Sequence, residues 1–188
     1  MAKKKNHYNL KSDRLRLDEI TISDLEEIHV LHSIPEVDEF NTLGIPADLR
    51  ETKEFMQPII KDQLSNKRKH ICWSVRNSSN DKFMGLAGLV LSAERFKMAE
   101  IYFKLYPKFW GQGYATELAG IIFRFGFENL GLHRIEAGVA TDNTRSIRVL
   151  EKIGMTREGI RRKILPIRGE WKDNYHYAIL DEEFESEY

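Results

Sequence analysis

The chain has a single cysteine among its 188 residues. Cys72 therefore closes no internal disulfide and cannot build a cysteine-cluster metal site. It lies in the strand-like run His70-Ile71-Cys72-Trp73-Ser74-Val75 and reads as a buried apolar thiol. Long hydrophobic runs are missing too: no apolar stretch approaches the roughly 18 residues of a membrane span, so none is expected. The opening Met1-Ala2-Lys3-Lys4-Lys5 has no apolar segment behind it and is not read as a secretory signal; a cytoplasmic protein is the expectation. Charge of one sign is lacking, with 29 Lys plus Arg against 29 Asp plus Glu. Bulk charge thus argues neither for nor against a nucleic-acid partner, and none is expected. The six histidines show no metal spacing. His29 and His32 are three apart on a helix with no third ligand, so they read as surface residues and no metal is expected.

What is present is a globular composition, with 41% hydrophobic and 31% charged residues, in a length that suits one domain. Residues 1–13 are polar and read as a flexible extension; residues 14–183 read as the domain. Alternation around Leu15 and Leu17 predicts a short strand. Ser23-Asp24-Leu25-Glu26 reads as a capping box before a helix with Leu25, Ile28, Leu31 and His32 at helical spacing. A Pro-containing loop over 34–46 leads to a second helix over 49–64, interrupted near Pro58. Strands follow over 70–76, 83–91 and 99–106, then a helix over 115–130 that Gly131 ends. A strand over 134–139, a helix over 144–153 and a last strand over 174–180 complete the chain, with further short strands near 155–163. This order predicts a mixed α/β domain on one central sheet.

The segment Phe109-Trp110-Gly111-Gln112-Gly113-Tyr114-Ala115-Thr116-Glu117 stands where a strand passes to a helix. Its glycines permit a tight turn and a close backbone approach to a ligand. The helix start has unbonded N–H groups and about half a positive charge, which suits phosphate. No Lys-Ser or Lys-Thr follows, so this is no triphosphate P-loop, and the spacing is not G-x-G-x-x-G. Taken alone, the glycine pair reads equally as plain turn chemistry. A second cluster, Asn143-Thr144-Arg145-Ser146, opens a helix that ends in Leu150-Glu151-Lys152-Ile153-Gly154-Met155. Asn143 alone is an N-cap.

Together and in this order, Phe103-Lys104-Leu105-Tyr106-Pro107, the glycine segment and the Asn143 helix resemble the GNAT superfamily of acetyl-CoA-dependent N-acetyltransferases. The likeness is greatest to the branch of ribosomal-protein N-terminal and small-amine acetyltransferases. Glu158-Gly159 and Gly169-Glu170-Trp171-Lys172-Asp173 belong to the same pattern, and the resemblance covers residues 14–183. It implies a GNAT-like fold with a splayed central sheet. Phe103, Lys104 and Leu105 would pair with the pantetheine amides of acetyl-CoA through a free strand edge. Trp110, Gly111, Gln112, Gly113, Tyr114, Ala115 and Thr116 would cradle the pyrophosphate. Asn143 and Ser146 would approach the pantetheine and thiol end. Relatives usually have Gln or Arg where Trp110 stands; a backbone cradle tolerates that change.

The chemistry so implied is direct acetyl transfer to a primary amine of a small molecule or a protein N-terminus, by a monomer or homodimer. It needs a base, for which Glu100 is the first candidate and Asp173 and Glu170 the others. Many relatives carry a Tyr acid where this chain has Glu151, and Ser146 is the substitute, or else only a first-turn hydroxyl. The alternative is a CoA-binding module of the same fold without transferase activity. Glu36, Asp38, Glu39, Asp48, Glu51 and Glu54 lie where the fold shapes its acceptor site. They read either as a cation-attracting cluster or as a solvated helix face.

Overall fold

The computed structural model describes residues 8–184. Eight strands form one sheet in the order β1-β2-β3-β4-β5-β6-β8-β7. They are β1 (Leu10–Lys11), β2 (Leu15–Glu19), β3 (His70–Asn77), β4 (Phe83–Leu91), β5 (Met98–Leu105), β6 (Arg134–Ala140), β7 (Thr156–Ile167) and β8 (Glu170–Leu180). Five helices accompany them: α1 (Leu25–His32), α2 (Pro35–Asp38), α3 (Leu49–Asp62), α4 (Tyr114–Arg124) and α5 (Thr144–Lys152). A mixed α/β domain on one sheet is thus what the chain forms.

The sequence pattern accounts for most of these elements, and four details differ. The first cap is made by Thr21 and not Ser23: the Thr21 N–H and hydroxyl both donate to Asp24 Oδ2, at 2.7 and 2.8 Å. Arg76 also holds that carboxylate, at 2.7 Å. Leu10 and Lys11 pair with Leu17 and Arg16, so residues 8–13 of the expected extension lie against the sheet; residues 1–7 lie outside the described residues. The helix expected over 115–130 is α4 followed by a π-helical turn, Phe125–Asn129, before Gly131 at φ +63°. The late region is one long hairpin, β7 and β8, whose register shifts between Arg157 and Gly159 and between Arg161 and Leu165, the second around Lys163 at positive φ, and whose turn holds Arg168 at positive φ. Single-sequence alternation misses it because β7 is exposed on both faces over most of its length and carries no apolar period.

Packing divides the molecule by face. Leu15, Leu17, Ile71, Trp73, Val75, Leu89, Ile101 and Leu105 meet Leu118, Ile122, Phe123 of α4 and Leu150 of α5 on one side. On the other, Cys72, Phe83 and Leu86 meet Ile28 and Leu31 of α1 and Met56 of α3. Burying each such side chain is worth about 1.5–3 kcal/mol, and together they offset the chain entropy of ordering the sheet.

All neighbouring strands are antiparallel except β5 and β6. That parallel pairing covers only Met98↔Arg134, Ala99↔Ile135 and Glu100↔Glu136. Beyond it β6 stays with β8 as far as Ala140↔Asn174, and β5 stays with β4 as far as Leu105↔Gly85. The sheet therefore opens into a V with its apex at Glu100 and Glu136.

Candidate active site

The V exposes half of the β5 backbone. The Tyr106 N–H donates to the Met84 carbonyl at 2.9 Å, and strand alternation then turns even-numbered β5 backbone toward β4 and odd-numbered backbone into the gap. Phe103 and Leu105 thus present peptide groups to the V. Lys104 does not: its backbone faces Leu86, although the residue lines the cleft. That corrects the expectation of an edge contact at Lys104. The Leu105 carbonyl already accepts from Trp110 Nε1 at 2.8 Å, which leaves its N–H for a ligand.

At the mouth of the V, Gly111 and Gly113 adopt φ +71° and +80°, a region where other residues are strained. A Cβ on Gly111 would meet nothing within 4 Å, so the loop leaves open space above it. The first helical bond of α4 runs from Glu117 N–H to the Gly113 carbonyl at 3.0 Å. The N–H groups of Tyr114, Ala115 and Thr116 are consequently outside the helical ladder. Arg14 braces the loop from the rim. It pairs with Glu117 at 2.5 Å, donates to the Gln112 carbonyl at 3.2 Å, and lies 4.5 Å from the Tyr114 ring centroid.

A cleft of about 450 Å³ joins these parts. Phe103, Lys104, Leu105, Trp110, Gly111, Gly113, Tyr114, Ala115, Thr116, Asn143 and Ser146 all line it. Gln112 is the exception: its side chain turns away and donates to the Lys108 carbonyl at 2.7 Å. Asn143 Oδ1 caps α5 by accepting from the Ser146 N–H at 3.1 Å. Three cations escaped the sequence reading. Arg145, Arg148 and Lys152 line the cleft from α5, at helical spacings of three and four that were visible in the chain. Arg145 lies 4.5 Å from the Trp110 ring centroid and pairs with Glu39 at 2.7 Å.

The opposite face of β5 carries Glu100, Tyr102 and Lys104. Ser146 and Glu100, the two catalytic candidates, are therefore on different faces of the V. Burial pushes the Lys104 ammonium down to about 8, with Asp38 pulling the other way. Burial also pushes His32 down to about 3, helped by the charges of Lys104 and His29. His32 is a core residue and not the surface residue expected; His29 bonds Thr52 Oγ1 at 2.8 Å. Cys72 is buried as expected, its thiol pushed up to about 12 by desolvation.

Several expected acids are already engaged. Asp173 Oδ1 accepts from the Lys163 N–H at 2.9 Å, and Glu170 pairs with Lys172 at 2.5 Å on the surface. Asp48 caps α3 through the Glu51 N–H at 2.9 Å, Glu51 accepts from the Ala47 N–H at 2.6 Å, and buried Asp38 lies 3.7 Å from Arg168. The acceptor-side carboxylates are thus mostly fold-building groups. Glu151 is exposed and accepts from Tyr177 Oη at 3.1 Å.

A splayed mixed sheet with a glycine-loop helix start at its mouth defines an acyltransferase class of fold. Comparison with known proteins agrees: a GNAT acetyltransferase domain matches residues 14–156. The chain is 31% identical over 171 residues to YoaA, an uncharacterized N-acetyltransferase of Bacillus subtilis strain 168, covering 91% of this chain and 96% of that one. Over 175 residues it is 28% identical to the uncharacterized N-acetyltransferase p20 of Bacillus licheniformis, covering 93% and 97%. A GNAT-family acetyltransferase crystal structure from Bacillus anthracis superposes with TM-score 0.81 at 31% identity, covering 93% and 99%. A spermidine N-acetyltransferase from Vibrio cholerae, solved with CoA and spermine, shares the fold with TM-score 0.81 at 23% identity, covering 92% and 98%. This chain belongs to the GNAT acetyltransferase family and is an N-acetyltransferase by descent. No helix among the described residues is long and apolar enough to cross a membrane.

Proposed function

We propose that the chain binds acetyl-CoA in the cleft between β5 and α5 and transfers its acetyl group directly to a primary amine of a small molecule or protein N-terminus. One observation carries this reading: a free strand edge, three unladdered helix N–H groups and three α5 cations converge on one cleft. The residues fit the donor. Phe103 offers a peptide N–H and carbonyl, and Leu105 an N–H, to the amides of pantetheine. The N–H groups of Tyr114 to Thr116 suit a pyrophosphate, and Arg148 and Lys152 suit its remaining phosphate.

Acetyl-CoA supplies an acetyl group activated as a thioester. The chain supplies the rest. Amines of this kind have unperturbed pKa values of about 8 to 10.4, so a base must take a proton before nitrogen attacks. Glu100 is that base. It stands at the last β5–β6 pair, and no ion pair engages it among the described residues. The peptide N–H of the free edge donates to the developing oxyanion. Ser146, which lines the donor cleft, serves the leaving thiolate; Glu151 does not, since it is exposed and held by Tyr177.

Calorimetry with CoA, followed by thiol release from acetyl-CoA with a panel of primary amines and Ala- and Ser-starting peptides, tests the reading. Micromolar CoA binding and thiol release with at least one amine are expected. Binding without release for any acceptor would leave a CoA-binding module in place of an enzyme, and no binding would remove both.

A further inference from the structure

The open face of the V carries buried acceptors that have no donors. Asn174 is 6% exposed, and its Oδ1 has no hydrogen-bond partner among the described residues. Two residues along β8, His176 Nδ1 is also buried and without a partner. His176 Nε2 lies 3.3 Å from Glu136 Oε1. In a neutral ring that carboxylate selects the Nε2–H form and leaves Nδ1 as an acceptor. Buried polar atoms are nearly always satisfied, so two orphaned acceptors on one strand face mark a place where a donor is missing.

Gly138 locates it. Gly138 pairs with His176, and its neighbour Ala140 pairs with Asn174. A Cβ built on Gly138 would lie 2.8 Å from Asn174 Nδ2, 3.3 Å from Asn174 Oδ1 and 3.4 Å from Glu100 Oε1. Asn174 and Glu100 therefore both border the face of Gly138, where a side chain would crowd Asn174. The charges around it are unequal. Glu136 is held by Arg134 at 2.7 Å, whereas Glu100 has no ion pair among the described residues, so this face is net negative.

We infer that Glu100 and Asn174 form a recognition pocket over Gly138 for the primary ammonium group of the acceptor, with His176 and Glu136 as its far wall. A primary ammonium carries both a charge and N–H donors, and Glu100 and Asn174 Oδ1 are acceptors for them. An alcohol brings one donor and no charge; a quaternary ammonium brings charge and no donor. Asn174 is thus a specificity-determining residue that holds the amine beside Glu100. The identity of the amine as the acetyl acceptor rests on the proposed function, but the pocket itself needs no CoA.

The test is an NMR titration of the ¹⁵N-labelled full chain, without CoA, by n-butylammonium at pH 7. Saturable shifts are expected at the Gly138 and Asn174 backbone amides and the Asn174 side-chain amide. n-Butanol and tetramethylammonium at equal concentration should leave those signals unmoved. Gly138→Ala should weaken binding at least tenfold by crowding Asn174, and Asn174→Leu, which keeps the volume and removes the polar end, should do the same. CoA affinity by calorimetry should stay within twofold for both. Shifts that are absent at Gly138 and Asn174, or equal with n-butanol, would overturn the pocket and leave the donor cleft standing. Failure of the wild type to bind CoA would remove the proposed function and leave the ammonium result as it is.

Discussion

On the donor side of the V, the groups that face a ligand are mostly backbone: the Phe103 and Leu105 peptides and the N–H groups that open α4. On the proposed acceptor side they are side chains: Glu100, Asn174 and His176. The difference has a physical consequence. A backbone site depends on conformation and so tolerates Trp110 where relatives differ, provided that Gly111 and Gly113 keep their positive φ. A side-chain site depends on residue identity; the burial that displaces the pKa values of His32, Cys72, Tyr102 and Lys104 is that of the packed interior.

The sharpest way to separate the two sides is Glu100→Gln. It removes the proposed base and leaves the donor cleft alone. Turnover should fall about 100- to 1000-fold with CoA affinity unchanged, read by thiol release and calorimetry. A similar fall in CoA affinity would show that the sides are not independent. Gly113→Asp is the converse. It places a carboxylate at the α4 start and strains a residue at φ +80°, so CoA binding should weaken about 50-fold while the fold is retained by circular dichroism.

A third test concerns the stability of the packed interior. His32 titrates near 3 in the folded chain against 6.5 when free. Between those values the unfolded chain holds the extra proton, so stability is full above 6.5 and is lost as pH falls toward 3. At pH 5 the loss from this group is about 2 kcal/mol. His32→Leu should abolish that share: urea midpoints at pH 7 and 5 should differ less for the variant than for the wild type by about that amount. The smallest effect is expected at Arg14→Ala, which removes the brace behind the glycine loop without touching the cleft. CoA affinity should drop about fivefold, equivalent to about 1 kcal/mol for a partly exposed charged contact.

Legibility in the sequence followed the same division. The strand before Pro107, the glycine loop and the Asn143 cap were readable because local residues dictate them: Pro ends a strand, Gly takes positive φ, Asn caps a helix. Of the twelve donor-side positions, only Gln112 lies off the cleft, and only Lys104 turns its backbone to β4 where an edge contact was expected. On the proposed acceptor side, the sequence offered Glu100 as a candidate but not Asn174 or His176, because nothing in Asp173-Asn174-Tyr175-His176 marks them apart from a strand of mixed polarity. The acidic residues from Glu36 to Glu54 read either as a cation-attracting cluster or as a solvated helix face, and partners distant in sequence, Arg145 for Glu39 and Arg168 for Asp38, engage two of them.

The sequence by itself determined the element order, the two packing faces and the loop that opens α4, since each depends on contacts within a turn or a strand period. Only the tertiary structure decided that β5 and β6 pair for three residues and then part. That separation comes from strands held more strongly by their outer neighbours, β4 and β8, than by each other. It is what places Glu100, from one half of the sheet, beside Gly138 and Asn174 from the other.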